Sequence, residues 1–295
     1  MSGAHVSDVR GPAGDERAAA VRGLPATGTA TGRVSAGHYR LSGLLRAEWT
    51  KLRTVRSTPW SYGLVAVLGV GLAILATAET RAHWSTLDLV QRATFDRTRT
   101  SRVGAFFAQL VVGVLGVLVV SAEYGTGTIR ATFAAAPRRP LVLVAKAVVF
   151  GAVTLVVSEA VALLSFLIGQ ALLTSPATHA TLGTAGAARA VFGSGLYLCL
   201  LGLVALALGA IVRHTAGAIG AFVAVLLVLP IIVGVLPSSI GNAVQRFLPA
   251  EIGRTMISLR TPVHDFGPWP GLVVLAAYAV VLLAVAGALL VRRDA

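Results

Sequence analysis

The chain has 295 residues, of which 56% are hydrophobic and 13% are charged, and its formal net charge is +13. A soluble domain usually has about 25% charged residues, so the composition excludes an ordinary soluble enzyme and indicates a chain that folds in lipid. The basic excess indicates contact with an anionic membrane surface. Nucleic acid is not expected as a partner, because no soluble domain carries a stripe of Lys and Arg.

The N-terminal region differs in composition from the rest of the chain. Residues 1–39 are rich in Gly, Ala, Thr and Arg and have no periodic apolar pattern, which predicts a disordered cytoplasmic tail. No secretory signal peptide is visible, since the first long apolar run begins near Ser61. Residues 40–295 are predicted to form the membrane domain. The single cysteine, Cys199, allows no internal disulfide and is interpreted as a core residue.

Six apolar stretches are long enough to cross a bilayer, which takes about 20 residues of helix. The third exceeds one span and is expected to tilt or protrude. We therefore predict an all-α membrane protein with six transmembrane helices. The predicted spans are residues 61–78, 103–122, 141–173, 190–212, 216–236 and 271–291.

Six spans place both termini on one side of the membrane. Lys and Arg are more numerous in the segments that become internal when the termini are cytoplasmic, which favours that orientation in the cell membrane. One supposedly outer loop opposes it, because this loop contains five arginines: Arg81, Arg92, Arg97, Arg99 and Arg102.

Residues 41–56 precede the first span and have the pattern of an amphipathic helix. Six apolar residues, with Trp49 among them, fall within one arc at 100° per residue, and basic residues lie elsewhere. This pattern predicts a helix lying along the inner membrane surface. Glu48 interrupts the apolar arc. It is either a local partner of Lys51 at i,i+3 or a contact with another chain.

Residues 121–140 connect the second and third spans. Glu123 and Tyr124 end the second span, and residues 125–127 predict a turn, since glycine permits conformations that other residues avoid. A short helix with Ile129 and Phe133 on one side should follow. It is either a docking helix that fits a groove on a partner or an ordinary interhelical loop.

The connection between the fifth and sixth spans, residues 237–270, contains five prolines. Between these prolines, residues 240–247 and 252–259 are predicted to form two short helices on the outer side.

Glu159 lies far from either end of the third apolar stretch, where an ionisable group is costly and marks a functional site by default. Glu159 shares a helix face with Gln170, and the pair is predicted to line a translocation path or to bind a cationic substrate. Alternatively, Glu159 is a protonated or paired packing residue. Two patterns of small residues are expected to pack helices closely: Ser158, Ala162, Ser165 and Gly169, and Ala216, Gly220 and Ala224.

Two segments carry a family resemblance. EWTKLRTVRST at 48–58 and SAEYGTGTIRATFAAAPRR at 121–139 resemble the membrane subunits of type-2 ABC exporters in their actinobacterial form, as does the ending RRDA. The resemblance covers about residues 40–295 and leaves the tail unexplained. The resemblance implies that the helix before the first span is the family's interfacial helix, with Glu48, Trp49, Lys51 and Arg53 as its functional residues. The ATPase-coupling loop comprises Glu123, Tyr124, Gly125, Thr126, Gly127, Thr128, Ile129 and Arg130.

The resemblance implies a permease that pairs with a second permease chain, as a homodimer or heterodimer, and with two copies of an ABC ATPase subunit. ATP and Mg would be bound by that ATPase, because this chain has no phosphate loop. No catalytic residue, metal or cofactor is expected in the chain itself. The expected function is efflux of an unidentified lipophilic or cationic substrate across the cell membrane.

Other functions compete with transport. A sensor-associated or immunity subunit would keep the same fold without transporting. An intramembrane hydrolase would use Ser194 and His214, but on one helix these lie about 30 Å apart, beyond the reach of a catalytic pair. A channel is disfavoured, because no selectivity-filter motif is present.

Overall fold

Long apolar runs form the long helices of this protein, because a helix satisfies every backbone polar group within its own segment. The computed structural model describes residues 41–86, 88, 92, 99–135, 139–173, 180–259 and 265–293; the predicted tail, 1–39, lies outside them. The helices are α1 Leu41–Thr54, α2 Ser57–Ala82, α3 Arg99–Gly125, α4 Thr128–Ala135, α5 Arg139–Leu172, α6 Ala187–Val212, α7 Thr215–Gly234, α8 Ser238–Gln245, α9 Pro249–Ile257 and α10 Pro268–Arg293.

Six of these helices are long and apolar enough to cross a membrane. They are α2, α3, α5, α6, α7 and α10, and they coincide with the six predicted spans, so the prediction of an all-helical multi-pass protein is confirmed. The described residues contain no strand. Helix α5 has 34 residues and is about 51 Å long, which exceeds the hydrocarbon core of about 30 Å.

Helix α6 is at the centre of the bundle, with 67% of its most apolar window buried. It packs backbone to backbone on α3 because glycines lie at the crossing. A Cβ atom at Gly116 would lie 2.5 Å from the carbonyl oxygen of Gly202, and one at Gly209 would lie 2.8 Å from that of Val117. Small residues at helix contacts allow this close approach.

The two small-residue patterns have different outcomes. Ser158, Ser165 and Gly169 are buried in the bundle, as predicted. The stripe of Ala216, Gly220 and Ala224 is instead exposed, so its predicted packing is wrong within this chain. Helix α7 turns another face inward, formed by Ala218, Phe222 and Leu226, because burying these larger side chains removes more apolar area from solvent.

Two short helices, α8 and α9, follow α7. They begin two or three residues before the predicted positions, and their placement on the outer side stays a prediction. Helix α9 begins at Pro249, where proline suits the first turn, and it buries Ile252 and Met256. The Arg189 guanidinium donates hydrogen bonds to the carbonyl oxygens of Met256 at 3.3 Å and Ser258 at 3.0 Å. These bonds fix the C-terminal end of α9 to α6.

Candidate functional site

Several helix ends meet at one end of the bundle, which we call the loop end. The C-terminal end of α3, the first turns of α5 and helix α1 are joined there by ion pairs. The turn between α6 and α7 also lies there, because Thr215 Oγ1 donates a hydrogen bond of 3.0 Å to Ser121 Oγ of α3. Residues 48–58 and the described residues 121–135 and 139 therefore lie at the same end.

Four charged side chains form a closed set at the loop end, which we call the charged ring. The Lys146 ammonium donates to Glu48 Oε2 at 2.7 Å and to Glu123 Oε1 at 2.9 Å. The Lys51 ammonium donates to Glu48 Oε1 at 2.8 Å and to Glu123 Oε1 at 2.9 Å. Two lysines and two glutamates alternate, so the ring has no net charge and joins α1, α3 and α5.

Burial makes the pairing in the ring essential. Glu48 is 5% exposed and Lys146 is 4% exposed. A buried charge is tolerated only when it is paired and hydrogen-bonded. Each of these two side chains makes two charged hydrogen bonds, and one of them joins the two side chains to each other. Glu123 Oε2 is also buried, and it has no hydrogen-bond partner among the described residues.

The sequence of α1 explains how the ring is positioned. Glu48 and Lys51 are three residues apart and therefore share a helix face, and Leu52 extends that face by one residue. Leu52 belongs to the same apolar cluster as Tyr62, Leu143 and Ala147, which anchors α1 to α2 and α5. Of the two alternatives for Glu48, the local pair with Lys51 is present in the structure. The contact with Lys146 of the same chain was not anticipated from the sequence.

The ring also affects the ionisation of Lys51. Burial lowers the pKa of Lys51, but the hydrogen bonds and negative charges of Glu48 and Glu123 outweigh this effect and hold the pKa above its ordinary value. A lysine with a raised pKa contributes its stabilisation fully below the ordinary pKa of 10.5 and loses it as the pH rises through the higher folded value. Lys51 therefore carries its positive charge at neutral pH.

The turn after Glu123 is presented at the surface. Gly125, the last residue of α3, and Thr126, Gly127 and Thr128 are exposed. Gly127 has a φ of +72°, a conformation that favours glycine. The Thr126 hydroxyl donates to the Ala122 carbonyl oxygen at 2.9 Å and lies 2.9 Å from the Thr128 hydroxyl. The turn is thus shaped locally, and Ile129 and Arg130 follow it in α4.

Tyr124 connects the loop end of α3 to the α6–α7 turn. The Arg213 guanidinium lies 5.2 Å from the centre of the Tyr124 ring, within the range of a cation–π interaction. Arg213 is the capping residue that follows α6, with a φ of +59°. Its guanidinium donates a hydrogen bond to the Leu289 carbonyl oxygen of α10 at 3.5 Å. Tyr124 and Arg213 thus connect the end of α3 with α6 and α10.

Trp49 and Arg53 lie on α1 outside the charged ring. Trp49 is 46% exposed, and the Arg53 guanidinium lies 5.8 Å from the centre of its ring. The two side chains form an aromatic and basic pair on α1, with Trp49 exposed and the neighbouring Glu48 and Leu52 buried.

Glu159 and Gln170 are not brought together. The half-buried Glu159 packs on Gly195 of α6, and its Oε2 atom has no hydrogen-bond partner in the described part of the chain. The Gln170 side-chain oxygen accepts a hydrogen bond of 2.6 Å from the Ala180 amide. On α5 the two residues lie about 16 Å apart, so Gln170 holds the chain after α5 rather than joining a site with Glu159.

The residues of the hydrolase hypothesis also have separate local roles. The Ser194 hydroxyl donates to the Val191 carbonyl oxygen at 2.7 Å. His214 lies beyond the opposite end of α6, where its Nδ1 atom accepts a hydrogen bond from the Gly217 amide at the start of α7. Within the described residues, no group of three or more His, Cys, Asp or Glu is placed to hold a metal ion.

Comparison with known proteins identifies no relative. No protein-family model matches the chain, and no curated protein matches its sequence.

Proposed function

We propose that this chain is the membrane-spanning permease subunit of a type-2 ABC exporter. The observation that carries the proposal is the charged ring. It links Lys51 to Glu123 across 72 positions of sequence at 2.9 Å. These residues belong to the two segments whose sequences resemble that family, the helix before the first span and the loop between the second and third spans. Their contact supports a common role for the two segments.

The proposed mechanism uses the exposed turn as the docking site. A separate ATPase subunit, which binds ATP and Mg, contacts residues 125–128 and α4. Its movement on nucleotide binding and hydrolysis displaces Glu123 at the end of α3. The charged ring passes that displacement to α1 and α5, while Tyr124 and Arg213 pass it to α6 and α10. Rigid helices joined by paired charges move together, because separating a buried ion pair is costly.

The proposed assembly contains two permease chains and two ATPase subunits in the cell membrane. Both termini of the permease are cytoplasmic, α1 lies along the inner surface with Trp49 and Arg53 at the lipid headgroups, and α8 and α9 are outside. The exposed stripe of Ala216, Gly220 and Ala224 on α7 supports pairing with a second permease, since such stripes allow helices to approach closely.

Site-specific photo-crosslinking tests the docking site. A photoreactive amino acid at Thr128, which is exposed beside Gly127, is expected to crosslink in intact cells to a protein that contains a phosphate loop. The matched control is the same residue at Gly183, which is exposed between α5 and α6. Mass spectrometry of the crosslinked products identifies the partner.

Two results would contradict the proposal. Crosslinking of position 128 only to proteins without a nucleotide-binding motif would favour a non-transporting membrane component of the same fold. Equal crosslinking of an ATPase to positions 128 and 183 would show that the contact is not specific to the loop end.

A further inference from the structure

An apolar groove runs along the outside of the bundle between α5, α6 and α10. Its volume is about 760 Å³, which is within the range of ligand pockets in proteins, about 300–1,000 Å³. One end lies beside Pro140 and Val291 at the loop end, and the groove extends to Leu155 and Leu283. No charged residue lines it. We call it the α5–α10 groove.

Glu159 lies in line with this groove, beyond its end at Leu155. The two residues are four apart on α5 and so lie on the same helix face. On the facing helix, Gly195 precedes Cys199, which lines the groove, by the same spacing. The Glu159 side chain packs on Gly195, where a Cβ atom would displace its carboxylate. The groove therefore leads from the loop end toward a carboxylate.

Among the described residues, the Glu159 carboxyl has a backbone hydrogen bond with Leu196 but no cationic partner. No Lys or Arg of the described residues forms an ion pair with it, and its Oε2 atom is buried without a hydrogen-bond partner. A carboxylate at membrane depth is costly unless it is paired or neutralised. A bound cation would supply the missing charge.

The depth of Glu159 decides which kind of cation fits. On α5 the residue lies about 30 Å from Arg139 and about 20 Å from Leu172, so it is close to neither end of the helix. A phospholipid in the same groove keeps its charged headgroup at the bilayer surface. A ligand whose charge reaches Glu159 must therefore carry that charge into the apolar interior together with its hydrophobic part.

We infer that the α5–α10 groove and Glu159 form a binding site for a lipophilic cation. The hydrophobic part of the ligand occupies the groove, and its positive charge lies against the Glu159 carboxylate. In the proposed function, the bound cation is the substrate of the exporter. Only this identification of the cation as substrate rests on the proposed function. Binding itself needs only this chain.

The test is equilibrium binding of radiolabelled tetraphenylphosphonium to the purified full chain in phosphatidylcholine nanodiscs. We expect Glu159→Gln to weaken binding at least tenfold, with Glu159→Asp retaining part of the affinity because the charge remains. Glu79→Gln is the matched control, since Glu79 is an exposed carboxylate near the end of α2, and it should bind as the unmodified chain does.

A second pair of variants tests the groove. Gly287 lines the groove and has open space where a Cβ atom would lie, so Gly287→Phe should fill the groove and weaken binding at least tenfold. Gly71 on α2 has similar open space, and Gly71→Phe should leave binding unchanged. Size-exclusion profiles of all variants should match that of the unmodified chain.

Three outcomes would overturn the inference. They are absence of binding to the unmodified chain, unchanged affinity in well-folded Glu159→Gln, and unchanged affinity in well-folded Gly287→Phe, which would exclude the groove from the site. Because the assay contains no ATPase, its result is separate from that of the crosslinking experiment. Cation binding in this assay, together with failure of the crosslinking experiment to find an ATPase, would leave the site intact and refute only the transport role.

Discussion

Lys146 is the side chain on which the arrangement at the loop end depends most. It is almost fully buried and donates to carboxylates from two other helices, Glu48 of α1 and Glu123 of α3. Lys51 makes the same two contacts, but it is partly exposed. Removing the Lys146 charge would leave two glutamates facing each other with one partly solvated cation between them.

We expect Lys146→Met to lower the free energy of unfolding by about 3–5 kcal/mol, the usual cost of breaking a buried ion pair. Arg254→Met is the matched control, because Arg254 is 55% exposed in its pair with Glu251, and exposed pairs contribute about 0–1 kcal/mol. Denaturation of the purified chains in mild detergent compares the two. Equal losses would show that the ring is not a buried stabilising unit.

The sequence offered one contact of this ring, the pair of Glu48 with Lys51, as one of two alternatives for Glu48. Glu48 and Lys51 are neighbours on one helix, so their pairing follows from helical spacing alone. Lys146 is 98 positions from Glu48, and the packing of α5 on α1 is not visible in a periodic pattern. A signal was nevertheless present, since a lysine inside an apolar stretch requires a counter-ion and Glu48 interrupted the apolar arc of its own helix.

Among the elements, the turn before α4 is set by one glycine. Gly127 has a left-handed backbone conformation, which costs other residues about 1–2 kcal/mol and is especially unfavourable for a β-branched side chain. The turn is exposed and joins the charged ring through Glu123, so in the proposed function its shape sets how α4 meets the ATPase.

Gly127→Val should therefore reduce substrate- or permease-stimulated ATPase activity of the assembled complex severalfold, because α4 is redirected, while the chain still inserts in the membrane. Gly183→Val places the same residue in an exposed connection whose glycine has no left-handed backbone, and it should leave activity unchanged. The measurement is ATP hydrolysis by complexes purified at equal yield. Unchanged activity in Gly127→Val would argue against the turn as the coupling element.

Element existence was easier to predict than element contacts. The six spans follow from length and hydrophobicity, whereas the two short helices of the last connection begin two or three residues before their predicted positions. The stripe of Ala216, Gly220 and Ala224 was assigned to packing, yet it is exposed. Periodicity shows which residues share a helix face, whereas the bulk of Phe222 and Leu226 decides which face the bundle covers.

On the scale of the whole molecule, the two ends of the bundle should face opposite sides of the membrane. Cys199 is buried, so cysteines introduced after Cys199→Ala report on accessibility with little background. In intact cells, a membrane-impermeant maleimide is expected to label Gly183→Cys and not Thr126→Cys, with the reverse in inverted vesicles. Labelling of Thr126→Cys from outside would invert the proposed orientation and remove the docking loop from the cytoplasm.

The assembled molecule is proposed to work only with a nucleotide-hydrolysing partner. Purification of the tagged chain from its native membrane in mild detergent, followed by mass spectrometry and an ATPase assay, tests this claim most directly. The account predicts recovery of a phosphate-loop ATPase in equal proportion to this chain, with its ATPase activity reduced in the Gly127→Val complex. Recovery of the chain without any nucleotide-binding protein, under several detergents, would contradict it.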